Sequence, residues 1–253
     1  MKPITTMKHD VVFDVADMGK DDINNFCVSH YNGGDWEEHT FIIFDKYKNP
    51  KKVMVDMGGW LGLTPMYCSE KFAHVVAYEC DKEALKRFKA NLELNPKIKN
   101  ISIIEKAVWE HNNAIMFGCK KDGQLGDSES SVFFNSNVGN DTMLVQCQTL
   151  LDSLNHLNIN PRDVSFIKMD IEGAEKVVID NIISILKFYK PTLYLSIHHH
   201  LLATNDIMDM LDRLFNIYPH CVVYNKHGDN FEVNRAKIVE HQLLDCVFTT
   251  EIK

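Results

Sequence analysis

The 253-residue chain is 45% hydrophobic and carries 27 Lys plus Arg against 35 Asp plus Glu, a formal net charge of -8. A chain of this size can bury one large core, and the acidic balance disfavours a broad phosphate-binding surface and with it a nucleic-acid partner. Seven cysteines without a CxxC pair exclude a disulfide framework or a thiolate zinc knuckle. With no leader-like or membrane-length apolar run, the chain reads as soluble and cytoplasmic.

Residues 1–50 read as a lead-in or cap, with "VVFDVAD" an early strand and "WEEHTFIIFDKY" a helix feeding the first core strand. The remainder, 51–253, reads as one domain. Val53 to Asp56 is a buried strand, and "LTPMYCSEKF" follows as a helix with Pro65 in its first turn. "HVVAYE" (74–79) is the second strand, and "DKEALKRFKANLELN" a helix that Asp81 caps. "ISIIE" (101–105) is strand-like, and the polar stretch "GCKKDGQLGDSESSVFFNSN" is an excursion with a strand inside it. "LLDSLNHLNI" and "GAEKVVIDNIISILKF" are helices flanking the strand "VSFIKMD" (164–170). The strand "TLYLSIH", the helix "NDIMDMLDRLFNI", the hairpin "CVVYNKHGDNFEV" and the closing strand "LLDCVFTT" complete the order. Alternating strand and helix predict a mostly parallel sheet covered on both faces, with ligands beyond the carboxyl ends of its strands.

"VDMGGWLG" places glycines at 58, 59 and 62 just after the first core strand. A dinucleotide turn needs glycine where this chain has Trp60 and Leu63, which argues against a pyrophosphate. A cramped turn without a ligand and a turn that admits a nucleoside both fit. Glu79 favours the nucleoside, because it ends the second strand roughly twenty residues on, where an acid accepts the ribose hydroxyls. S-adenosylmethionine heads the list of nucleoside cofactors without a diphosphate. Asp56 then faces its ammonium group directly or through water, and Glu105, Lys106 and Ala107 border its adenine.

"FIKMDIEGAE" delivers Asp170 and Glu172 to the same crevice, although Glu172 and Glu175 also suit the positive end of a helix. "TLYLSIHHH" ends the next strand in three histidines, so His198 can meet Asp170. This predicts His198 as general base with Asp170 as its orienter, Asp170 being able to act directly, and Glu172 binding substrate. The same set, Asp170, Glu172 and His198, is an alternative site for a divalent metal ion that would acidify a substrate hydroxyl.

"VDMGGWLG", "YECDKEALKRFKANLELN", "EKAVW" and "FIKMDIEGAEKVVI" together resemble the FkbM-like family of S-adenosylmethionine-dependent methyltransferases, over about Trp36 to His200. The resemblance implies a class I methyltransferase fold, a Rossmann-like α/β three-layer sandwich whose mostly parallel seven-stranded sheet has an antiparallel last strand. It also implies O-methylation, often of sugar hydroxyls in glycans, glycolipids or natural products. Carried over by position, Asp56, Gly58, Gly59 and Gly62 form the cofactor turn, and Glu79 takes the ribose. Glu37 or Glu38 lies near the methionine tail, and Asp170 and Glu172 sit beside the transferred methyl. Gly59 stands where alanine is common and Trp60 where the family has a small or polar residue. Competing readings are a nicotinamide oxidoreductase, which Trp60 opposes, a nucleic-acid methyltransferase, and a non-catalytic sugar-binding or scaffold protein.

Overall fold

A computed structural model describes residues 2–17, 29–32, 36–119, 125–126, 128, 130–132 and 142–253. Most of the excursion expected between residues 118 and 141 therefore lies outside the described residues. The chain opens with an antiparallel hairpin of β1 (Lys2–Lys8) and β2 (Val11–Asp17), of which β1 was not expected. Helix α1 (Glu38–Tyr47) leads into β3 (Asn49–Met57), followed by α2 (Leu63–Ser69), β4 (Phe72–Tyr78), α3 (Lys82–Leu94) and β5 (Ile101–Ile104). Three short strands come next: β6 (Ala107–Val108), β7 (Ala114–Gly118) and β8 (Thr142–Gln148). The second half runs α4 (Leu150–His156), β9 (Val164–Met169), α5 (Glu175–Tyr189), β10 (Thr192–Ser196) and α6 (Thr204–Phe215). It closes with β11 (His220–Tyr224), β12 (Asn230–Glu232), α7 (Arg235–Glu240) and β13 (Asp245–Thr249).

The central sheet has the order β12-β11-β13-β10-β9-β3-β4-β5. Strands β5, β4, β3, β9 and β10 are mutually parallel, and β13 is antiparallel to both its neighbours, β10 and β11. This is the expected class I arrangement, with the last strand in sequence inserted antiparallel. An eighth strand, β12, lengthens the edge beyond the expected seven, because the return arm of the hairpin at residues 221–233 pairs with β11. Strands β6, β7 and β8 form a separate three-stranded sheet. Strand order reverses between β3 and β9, the switch point at which such sheets bind ligands.

Both faces of the sheet are covered, which is why its strands read as continuous apolar runs. Val55, Ile167 and Leu195 face a cluster with Val178, Ile182, Leu211 and Leu214 of α5 and α6. Met54, Phe166 and Tyr194 face the other side, with Phe41 and Phe44 of α1 and Met66 and Tyr67 of α2. Val11, Phe13 and Val15 of β2 belong to this second cluster, so the amino-terminal residues share the core of the sheet they precede. A boundary at residue 50 falls within β3. Among the described residues six cysteines are free, and no helix is long and apolar enough to cross a membrane.

Helix α3 begins as its sequence dictates: the Asp81 carboxylate accepts from the backbone N–H groups of Glu83 and Ala84. Packing explains the glycines after β3. A Cβ on Gly58, where φ is +91°, would lie 2.0 Å from the backbone oxygen of Asp170. One on Gly62, at φ +84°, would lie 2.1 Å from the ring of Phe88, whereas Gly59 has a nearest contact of 3.3 Å and no positive φ. The turn is thus cramped at its two ends and open in the middle. Gly62→Ala combines overpacking with a left-handed backbone and is expected to cost about 2 kcal/mol or more. Gly59→Ala is expected to cost under about 1 kcal/mol, Phe88 giving way slightly. Urea midpoints of the two variants test this ordering, and equal midpoints contradict it.

Candidate active site

The parallel strands β3, β4 and β9 end at the same edge of the sheet, and there a cavity opens between the glycine turn and the residues after β9. Gly58, Gly59 and Trp60 form one wall. Glu79, Lys106 and Ala107 border a second part, and Glu37, Lys168, Asp170 and Glu172 a third.

Glu79 reaches the cavity directly after β4. Its Oε1 accepts from the N–H groups of Cys80 and Asp81, both at 2.8 Å, and its Oε2 from the N–H of Trp60 at 2.7 Å. Burial nevertheless outweighs these donors and pushes its carboxyl up to about 7. Oε1 is filled, so the remaining acceptor capacity lies on Oε2. Trp60 adopts φ +45°, a left-handed conformation that is unusual for a bulky residue and aims its N–H at Glu79. Its indole Nε1 donates to the carbonyl of Gly126 at 2.9 Å, tying the excursion to the turn.

Of the two acids before α1, Glu37 lines the cavity, whereas Glu38 is spent on Lys8 and His9. Burial and the nearby Asp170 carboxylate raise Glu37 to about 7, against the lowering field of Lys168.

Three expected cofactor residues do not reach the cavity wall. Asp56 is fully buried beneath it, where Oδ2 accepts from Thr64 Oγ1 at 2.7 Å and Oδ1 lies 3.4 Å from Lys168 Nζ. Its expected direct approach to an ammonium group is therefore corrected: Lys168 already faces it. Gly62 caps the start of α2 against Phe88, so its role is packing. Glu105 is also corrected. The chain turns back after β5, with Lys106 N–H on the carbonyl of Ile104 at 2.8 Å, and Glu105 pairs in the open with Lys89 at 2.7 Å. Lys106 and Ala107 take the place on the wall expected of it.

The acidic end is assembled by a backbone reversal. Glu172 has φ +51° and Gly173 φ +96°, two successive left-handed residues between β9 and α5. Such a conformation at a non-glycine residue is strained and persists where its surroundings hold it. It brings Glu172 back beside Asp170: His198 Nε2 lies 3.2 Å from Glu172 Oε1 and 3.6 Å from Asp170 Oδ1. His198 Nδ1 is hydrogen-bonded at 2.7 Å to Glu175 Oε1, which also accepts from the Gly173 N–H. His199 instead bonds the carbonyl of Leu243.

The arrangement corrects the expected base. Burial pulls the His198 imidazole down, but hydrogen bonds to Glu172 and Glu175 more than reverse this and raise it to about 10. At neutral pH the ring already carries its proton and has no lone pair to offer. Its orienter is Glu175 and not Asp170. Glu175, fully buried, and Lys168 are the two site residues that sequence reasoning missed. Both stand in "KMDIEGAE", and the signal for Lys168 was its strand alternation with Asp170, which sets the two on one face. Lys168 Nζ lies 3.4 Å from Asp170 Oδ2 and 3.3 Å from the carbonyl of Gly58, and the surrounding carboxylates hold its charge firmly against burial.

Comparison with known proteins gives this geometry a family. The model of the methyltransferase FkbM domain matches residues 58–228. No curated protein matches the chain. Among solved structures, methyltransferase FkbM from Methylobacillus flagellatus KT is 17% identical with a TM-score of 0.49, over 93% of this chain and 56% of that one. The chain thus spans a little over half the length of that protein. An rRNA methylase from Streptococcus thermophilus is 10% identical with a TM-score of 0.45, covering 84% of this chain and 95% of its own. The complex of aTrm5 with tRNALeu is 13% identical with a TM-score of 0.37, over 76% of this chain and 39% of that one. The expectation that disfavoured a nucleic-acid partner is corrected: it rested on net charge, a sum over the whole surface that does not describe any one face. A family model covering most of the chain, including the glycine turn, Glu79 and the residues after β9, shows that the chain belongs to the FkbM family of S-adenosylmethionine-dependent methyltransferases.

Proposed function

We propose that the chain transfers the methyl group of S-adenosylmethionine to a hydroxyl oxygen, that of a sugar. The observation that carries this reading is the convergence of Asp170 and Glu172 on the same cavity that Glu37 and Glu79 line. In this reading Oε2 of Glu79 accepts from the ribose, Gly58 and Gly59 leave room for the cofactor against the backbone, and Glu37 faces the ammonium group of the methionine end. The sulfonium then points its methyl toward Asp170. Lys106 and Ala107 border the adenine.

The reaction is an in-line displacement. A bond forms between the acceptor oxygen and the methyl carbon, the carbon–sulfur bond breaks, and sulfur leaves as a neutral thioether. The hydroxyl proton passes to the Asp170 carboxylate, which is partly open to solvent while His198 is protonated and buried. Alignment of oxygen and methyl contributes most, on the order of 7 kcal/mol, and proton removal adds roughly 100-fold or more. Asp170 and Glu172 together offer acceptor oxygens to adjacent hydroxyls, which is the donor pattern of a sugar. Methyl transfer from labelled cofactor to a panel of glycosides, RNA and simple phenols tests the acceptor. Label entering phenols alone would sink the sugar assignment.

Two further outcomes are expected. Asp170→Asn lowers turnover at least about 100-fold while the affinity for S-adenosylhomocysteine stays within a few-fold. A parallel fall in affinity with a normal rate per bound complex would make Asp170 a cofactor ligand instead. Affinity for S-adenosylmethionine rises between about pH 6 and pH 8. Glu37 and Glu79 both ionise near 7, and their charged forms attract the cofactor's ammonium group and ribose hydroxyls more strongly than the neutral acids do. Calorimetry across this range checks it, with Glu79→Gln flattening part of the slope. A flat profile in the unsubstituted chain contradicts the assignment of both residues.

A further inference from the structure

We infer that Asp170, Glu172 and His198 bind a divalent cation at the acceptor end of the cavity, with Glu175 as the buried group that aims the imidazole.

One ligand atom from each of the three residues lies within 4.8 Å of the other two. The distances from His198 Nε2 to the two carboxylates are 3.2 and 3.6 Å, and neither reaches the close, aligned contact that Nδ1 makes with Glu175 at 2.7 Å. Ligands held about 2.1 Å from one ion stand roughly 3.0 Å apart in octahedral and 3.4 Å apart in tetrahedral coordination. His198 Nε2 is therefore spaced from each carboxylate as one ligand is from its neighbour around an ion.

The groups behind them fit the same reading. An imidazole that ligates a metal through one nitrogen gives its other N–H to a carboxylate or carbonyl, which fixes the ring and its tautomer. Glu175 does this from a fully buried position, braced by the Gly173 N–H at 3.0 Å. Two carboxylates facing one buried imidazole need positive charge between them. A divalent ion, which ligates the neutral imidazole, supplies it. The His198 ring is 8% exposed, whereas Asp170 is 29% exposed and, with Glu172, borders the cavity. The protein ligands thus close the ion's inner side and leave its remaining positions facing the cavity.

Two carboxylates and one imidazole suit Mn²⁺ or Mg²⁺ better than a thiolate-seeking ion. The ion's role rests on the proposed transfer to a hydroxyl: an acceptor oxygen bound to it would be acidified and held in place, so that its proton would pass more readily to Asp170.

The test uses the full chain stripped with a chelator and titrated with Mn²⁺, the free ion being read by electron paramagnetic resonance. One bound Mn²⁺ per chain is expected, weakened at least 100-fold by His198→Ala and by Asp170→Asn combined with Glu172→Gln. Glu175→Gln, which leaves all three ligands in place, is expected to weaken it about 10- to 100-fold. S-adenosylhomocysteine affinity, measured on the same samples, reports the fold and the cofactor site independently. Absence of bound Mn²⁺, or equal affinity in the unsubstituted chain and His198→Ala, overturns the cation site while leaving the methyltransferase reading intact. Failure to bind S-adenosylhomocysteine with Mn²⁺ binding preserved would do the reverse.

Discussion

The architecture of the site depends on one ammonium group buried between two carboxylates. Lys168 of β9 pairs in register with Asp56 of β3, and its Nζ stands 3.4 Å from both Asp56 and Asp170. Removing these charges from water costs several kcal/mol per ion, and replacing such a group by apolar residues is often neutral or stabilising. Stability alone therefore does not account for it. What the row of charges does achieve is geometric: it fixes the ends of the two strands between which strand order reverses, with Gly58 against the backbone of Asp170. With Lys168 in place, the charge of the buried Asp56 is compensated from within the chain.

That arrangement also sorts the acids by role. Asp56 is locked to Lys168 and Thr64, Glu175 to His198 and Gly173, and Glu79 to three backbone donors. Glu37, Asp170 and Glu172 are less encumbered and line the cavity. The chain thus uses one set of carboxylates to hold the walls and another to meet what enters. A sequence shows both sets as the same letters.

Much of the fold was legible because local chemistry and global pattern agree. Asp81 capped its helix as expected, the apolar strands were doubly covered, and the antiparallel β13 took its class I position. Four strands went unread: β6 is two residues long, β1 (KPITTMK) has few apolar residues, and β7 and β8 flank the polar excursion, which drew the strand reading to itself. In the site, Asp170, Glu172 and His198 were foreseen together, because strand ends in a parallel sheet share an edge. The partner of His198 was not. Glu175 lies on the first turn of a helix, where an acid is already explained by the helix dipole, and only the left-handed turn at Glu172 and Gly173 reveals that it points inward. Glu105 failed for a related reason, since one tight turn after β5 is enough to send a side chain outward.

The glycine turn is also tied to the excursion after β7. Trp60 holds Gly126 through its indole, and the N–H of Gly126 reaches the Asp81 carboxylate at 2.6 Å. Farther along, the Ser131 hydroxyl donates to the carbonyl of Glu172, and Ser131 exchanges backbone hydrogen bonds with Gly118 at the end of β7. The excursion after β7 is therefore pinned at one point to the residues around Glu79 and at another to the strained residue beside Asp170. This gives Trp60 a physical role at a position where the resemblance implies a small or polar residue. Its ring lines the cavity beside the glycine turn, and its indole ties that turn to Gly126.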